Sequence, residues 1–86
     1  MAVLEGNMPN PWSVSTELRF YIPTDGKVNL NVKDASGRIL MRRASLFTAG
    51  NNYFIISQDD IKLTGVFFYE LQFEDQIFNG KMIRIK

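Results

Sequence analysis

Apolar and polar residues alternate with a period of two along most of this chain, while a helical period is hard to find. From Glu17 to Ile22, Leu18, Phe20 and Ile22 share one side and Glu17, Arg19 and Tyr21 the other, until Pro23 ends the run. After the turn composition Thr24-Asp25-Gly26, Val28, Leu30 and Val32 alternate with Lys27, Asn29, Asn31 and Lys33. These two segments predict a hairpin with one face on a core. Asp34-Ala35-Ser36-Gly37 predicts a second turn, with Gly37 free to take positive φ, and Arg38 to Ala44 a further strand. The facing of that strand stays open, because Ile39, Leu40 and Met41 are consecutive.

Beyond a loop around Phe47-Thr48-Ala49-Gly50, the β-branched and aromatic run Tyr53-Phe54-Ile55-Ile56 predicts a short strand buried on both faces. Ser57, with Asp60 three positions later, resembles a capping box and predicts one helical turn over Asp59 to Leu63 before Thr64-Gly65 releases the chain. Val66 to Phe73 resumes the strand period with Phe67, Tyr69, Leu71 and Phe73 together, and Gln76 to Lys86 supplies the last strand. Asn79-Gly80 is the strongest two-residue hairpin signal in the chain. A reversal there would pair a strand of double length with only Lys81 to Lys86, so the turn is assigned to Glu74-Asp75 and Asn79-Gly80 is read as a bulge or distortion of the final strand. The pattern as a whole predicts six or seven short strands in an antiparallel sandwich. Its expected core contains Leu18, Phe20, Ile22, Val28, Leu30, Val32, Tyr69 and Leu71.

Composition narrows the chemistry. With 86 residues, 45% of them hydrophobic, there is enough material for one core and no room for a second. Ten Lys and Arg against nine Asp and Glu leave a net charge of +1, which argues against electrostatic nucleic-acid binding. The absence of Cys removes disulfides, thiolate metal sites and cysteine nucleophiles, and the absence of His removes the commonest general base and transition-metal ligand. Asp59-Asp60 is an acidic pair, but adjacent residues on a strand or turn point apart and nothing nearby completes a calcium loop, so no metal or cofactor is expected. Arg42-Arg43 reads as a solvated strand edge. Met1-Ala2-Val3-Leu4 runs directly into Glu5 and Gly6 and makes no targeting segment, and the longest apolar runs, such as Gly65 to Tyr69, are too short to cross a bilayer as a helix.

Read in order, the punctuation is more specific than the fold. Leu4-Glu5-Gly6-Asn7-Met8-Pro9-Asn10-Pro11-Trp12 leads into Ser15-Thr16-Glu17-Leu18, then Asp34-Ala35-Ser36-Gly37-Arg38, Ala49-Gly50, Thr64-Gly65-Val66-Phe67-Phe68-Tyr69-Glu70-Leu71, and finally Lys81-Met82-Ile83-Arg84-Ile85-Lys86. This series resembles the type A C-terminal sorting domain of the type IX secretion system, carried by secreted and surface proteins of Bacteroidetes-type bacteria. The resemblance covers Leu4 to Lys86 and rests on the order and spacing of these elements. Trp12 stands where the family often has Phe, and Phe67 where it usually has Tyr.

The resemblance implies a seven-stranded immunoglobulin-like sandwich at the C-terminus of a larger cargo, with residues 1–3 as a linker remnant and 4–86 as the domain. It implies a non-enzymatic signal, read in the periplasm by the outer-membrane translocon and its shuttle protein, then cut off by a surface sortase as the cargo reaches the cell surface. The expected partners are those proteins and the N-terminal cargo, with no nucleic acid and no small-molecule substrate. Lys81, Met82, Ile83, Arg84, Ile85 and Lys86 carry the expected signal, with Pro9, Asn10 and Pro11 as a second recognised element or a purely structural bend. Trp12, Gly37, Arg38, Gly50, Gly65, Tyr69 and Leu71 are assigned to structure, Trp12 as a lid on one end of the core. Strand alternation puts Ile83 and Ile85 inward and Arg84 and Lys86 outward, and a final strand at a sheet edge is open to strand addition by a receptor. The competing expectation is an adhesion or carbohydrate-binding sandwich using Trp12 as an aromatic platform.

Overall fold

The computed structural model describes residues 1–86 and contains seven strands and no helix. They are β1 (Val3–Met8), β2 (Ser15–Ile22), β3 (Gly26–Lys33), β4 (Ile39–Phe47), β5 (Gly50–Ser57), β6 (Gly65–Phe73) and β7 (Gln76–Arg84). One antiparallel sheet has the order β1-β2-β5 and the other β4-β3-β6-β7, giving the β-sandwich expected from the strand period. Relative to the constant-type immunoglobulin arrangement, in which the fourth strand lies beside the fifth, β4 here stays paired to β3.

The core follows the alternation. Leu18, Phe20 and Ile22 from β2 face Val28, Leu30 and Val32 from β3 and Phe67, Tyr69, Leu71 and Phe73 from β6, and all are buried. Register carries this order across the sheet: Val28 is opposite Phe73, Leu30 opposite Leu71 and Val32 opposite Tyr69. Phe47 and Phe54 meet edge to face with centroids 5.1 Å apart, and both pack on Phe20, so aromatic contacts fill one flank between the sheets.

Several expectations are corrected. Tyr53 and Ile55 are each 51% exposed, while Phe54 and Ile56 are buried. The strand expected to be covered on both faces is an edge strand of the three-stranded sheet, whose outer face nothing covers. The turn does lie at Glu74-Asp75, with Glu74 at positive φ, but Asn79-Gly80 continues β7 in unbroken register rather than as a bulge. A Cβ at Gly80 would run into the ring of its cross-strand partner Tyr69, so the glycine is there to let that ring lie flat over the strand. Asp59 to Leu63 forms no helix: the Asp60 and Ile61 amides both donate to Ser57 O, a single hydrogen-bonded turn. The capping-box bonds are present, with Ser57 N donating to Asp60 Oδ2 at 2.9 Å and Asp59 N to Ser57 Oγ at 3.2 Å. Finally, Ala2 is buried and β1 begins at Val3, so two of the three residues assigned to a linker belong to the sandwich.

Candidate functional site

The two segments singled out near opposite ends of the chain meet at one corner. Met8-Pro9 and Asn10-Pro11 are cis peptide bonds, and the segment passes from β1 to β2 across the side of β7. Trp12 N donates to Ile83 O at 2.9 Å and Ile85 N donates to Trp12 O at 2.7 Å, a parallel bridge that extends the edge of the four-stranded sheet by one residue. Asn10 continues it through its side chain. Ile83 N donates to Asn10 Oδ1 at 2.9 Å, and Asn10 Nδ2 donates to Lys81 O at 3.4 Å. Four backbone groups of the C-terminal strand that would otherwise point outward are thereby occupied. The turn before it is held from the other side, since Thr16 Oγ1 donates to Pro9 O at 2.8 Å.

This geometry overturns the expected facing of the last strand. Met82 is fully buried opposite Phe67, and Arg84 lies on the same side with its guanidinium 5.5 Å from the centre of the Trp12 ring. Ile83 and Ile85 turn to the outer face, Ile85 at 51% exposure. The physical cause is register: counting from the Glu74-Asp75 turn, residues 78, 80 and 82 stand opposite the inward Leu71, Tyr69 and Phe67, and Arg84 follows on the same face opposite Gly65. Arg84 is tolerated inside because the indole face receives its charge, while its Nη1 approaches Lys62 O and Leu63 O at 3.4 Å. The indole Nε1 and Arg84 Nε are both buried without a hydrogen-bond partner, so this corner carries a polar cost that packing must offset.

Trp12 is the lid expected, 1% exposed, and its buried ring cannot serve as a sugar platform. Lys81, Ile85 and Lys86 are exposed, as are Pro9, Asn10 and Pro11, so the corner presents an outer surface built from both segments. The strand-addition route is altered: β7 is an edge strand, but its C-terminal half is already strapped by Asn10 to Trp12. Gly37, Gly50 and Gly65 all adopt positive φ, consistent with structural roles. Arg38 closes the Asp34 turn, donating from N and Nε to the Asp34 carboxylate. The Ser36 hydroxyl, with the backbone amides and Arg38, holds the Asp34 carboxyl below its ordinary value. Leu71 is core, and burial pushes the Tyr69 phenol up.

The opposite side of the sandwich holds a feature the sequence reading missed. Arg43 is not a solvated edge residue: its Nη1 donates to Ile55 O at 2.6 Å and its Nη2 to Asp60 Oδ1 at 2.9 Å. Arg43 is opposite Leu30, so β4 turns it toward the other sheet, whereas Arg42 faces outward. Burial raises the Asp60 carboxyl, but the Ser57 amide and the Arg43 charge outweigh it and hold the group below its ordinary value. Beside this clip lies an open groove of about 360 Å³ lined by Arg43, Ala44, Ser45, Phe47, Tyr53, Phe54 and Ile55. The one signal available beforehand was the two-residue alternation from Met41, which would put Arg43 inward once Met41 was assigned to the core.

Neither a protein-family model nor a curated protein matches this chain.

Proposed function

We propose that this domain is a non-enzymatic sorting signal of the type IX kind, read by protein partners through the corner formed by Pro9 to Trp12 and Lys81 to Lys86. The observation that carries the reading is the hydrogen bonding of Asn10 and Trp12 to Lys81, Ile83 and Ile85. The segments that the resemblance marks as recognised hold residues 71 and 73 positions apart in contact and so make one surface, which is what a folded signal requires and a mere strand terminus does not. Exposed Lys81, Ile85 and Lys86 present side chains outward, while buried Trp12 and Met82 hold the strand in place. In this reading the fold fixes the shape of the terminal strand before a receptor meets it, lowering the ordering cost of binding.

The test is a secreted reporter fused to residues 1–86 in a bacterium that possesses a type IX system. Reporter should reach the medium or cell surface only when the domain is attached and the translocon is intact. Export without the domain, or retention of the fusion in the periplasm of the intact strain, would overturn the reading.

A further inference from the structure

The outer face of the four-stranded sheet carries a second surface, which adjoins the strapped corner and shares Lys81 and Ile83 with it. One row of it is Lys33, Phe68 and Lys81, direct partners at the end of β3 and on β6 and β7. Strands lie about 4.8 Å apart, so the two lysines flank the phenyl ring at roughly 10 Å from each other. Phe68 is 43% exposed, and one step along the strands Val66 stands opposite Ile83, extending the apolar centre. Lys27 and Arg42 also face this side, opposite Leu46 and Asn31. Glu70 is the one acid in the outward rows of these strands.

The charge arrangement here differs from the rest of the molecule. The three ion pairs of the protein, Arg19–Glu17, Arg38–Asp34 and Arg43–Asp60, all lie elsewhere. On the outer face of the three-stranded sheet the cation is neutralised within its own strand, Arg19 Nε meeting Glu17 Oε1 at 3.0 Å. Lys27, Lys33, Arg42 and Lys81 have no such partner, although the whole chain is only +1. In a protein whose opposite charges nearly balance, Lys33 and Lys81 thus flank an exposed aromatic without a carboxylate partner.

We infer that this face is a docking surface for a protein partner that presents an acidic segment with apolar side chains between its carboxylates. The apolar centre meets those side chains, and Lys33 and Lys81 each take a carboxylate at the rim, where charge sets specificity and association rate more than affinity. A polyanion such as single-stranded nucleic acid would use the lysines and the Phe68 ring but leave the aliphatic Val66 and Ile83 pair without a counterpart. A lipid bilayer is a poorer fit, because these apolar groups lie on a pleated face between lysines rather than on a projecting loop or amphipathic helix. Lys81 belongs to both readings, but this inference rests on the sheet face and its test uses no secretion machinery, so either reading can fail without the other.

The experiment is a nuclear magnetic resonance titration of the isotope-labelled 86-residue protein with a capped peptide, Glu-Leu-Glu-Phe-Glu-Leu-Glu, as probe. Saturable shifts should centre on Lys33, Val66, Phe68, Lys81 and Ile83 and fade in about 0.5 M salt, where screening is nearly complete. Lys33→Glu with Lys81→Glu should weaken binding about tenfold, the equivalent of two rim contacts, with the unfolding temperature held within a few degrees. Should that variant fail to fold, Lys33→Gln with Lys81→Gln gives the same test without charge reversal. The inference is overturned if the peptide produces no saturable shift on this face, or if a Gln-for-Glu peptide binds equally well. It is overturned equally if the face binds only phosphatidylglycerol vesicles or oligothymidylate, which would assign it to a membrane or to nucleic acid.

Discussion

The two long sides of the sandwich are closed by different devices. On the side of β1 and β7, main chain meets main chain: Trp12 exchanges two hydrogen bonds with Ile83 and Ile85, and a buried indole fills the space behind them. On the side of β4 and β5, one arginine spans the gap, reaching Ile55 O and Asp60 above an open groove. Apolar burial supports the first closure, while the second adds charge-assisted hydrogen bonding to the edge-to-face packing of Phe47 and Phe54 on Phe20. The sides should therefore answer differently to perturbation, the first to loss of volume and the second, alone of the two, to loss of the ion pair.

Trp12→Ala should have the largest effect. Deleting a large buried aromatic costs about 3–5 kcal/mol, a major part of the stability of a small domain, and urea denaturation would measure it. A cost under about 1 kcal/mol would mean the closure rests on the backbone bridge alone. Arg43→Ala comes next. It removes two hydrogen bonds of a partly exposed guanidinium, so about 1 kcal/mol is expected, or roughly 4–8 °C in unfolding temperature for a domain of this size. A drop as large as that of Trp12→Ala would contradict the contrast between the two sides.

Asn10→Ala should be smaller still, about 0.5 kcal/mol for exposed bonds, but local. Amide exchange should accelerate at Ile83, which donates to Asn10, and remain unchanged at Gln58, whose amide donates to Val14 O just beyond the end of the β2–β5 pair. Acidification sharpens the comparison from the other direction. The Asp60 carboxyl is held below its ordinary value of 3.8 in the folded protein, so its contribution is present above that value and is lost as pH falls through the lower folded value. Stability lost on acidification below about pH 4 should thus diminish in Arg43→Ala and persist in Asn10→Ala, as read from unfolding temperature against pH.

How far these features could be read beforehand depended on whether local spacing or distant contact decided them. Leu18, Phe20, Ile22, Val28, Leu30 and Val32 were legible because each strand alternates cleanly and a hairpin joins them. The last strand misled because Ile83 and Ile85 look like core and Arg84 does not. Hydropathy favoured one face while the register set at Glu74-Asp75 imposed the other, and Arg84 became acceptable inside only through a ring supplied by Trp12. Arg43 escaped notice for the same reason, since its partners Ile55 and Asp60 belong to the other sheet and its following turn. The meeting of Asn10 with Ile83 has no local signature at all. The resemblance drew attention to both segments, but their contact emerges only when the sandwich is assembled.

That contact also changes which substitutions can separate signal from fold. Replacing Arg84 would disturb the Trp12 ring it covers, so loss of export in such a variant would be ambiguous. Ile85 and Lys86 are exposed, and the bond at this position comes from the Ile85 backbone amide, which a side-chain change leaves in place. Exposed substitutions of this kind usually move stability by no more than about 0.5 kcal/mol. The most direct measurement is therefore export of a reporter carrying Ile85→Ser with Lys86→Ser, in a type IX host, beside the unfolding temperature of the same variant. The account predicts that export falls to background while unfolding stays within a few degrees of the parent. Export at the parental rate from a variant with parental stability would contradict it, leaving the terminal strand as sheet completion alone.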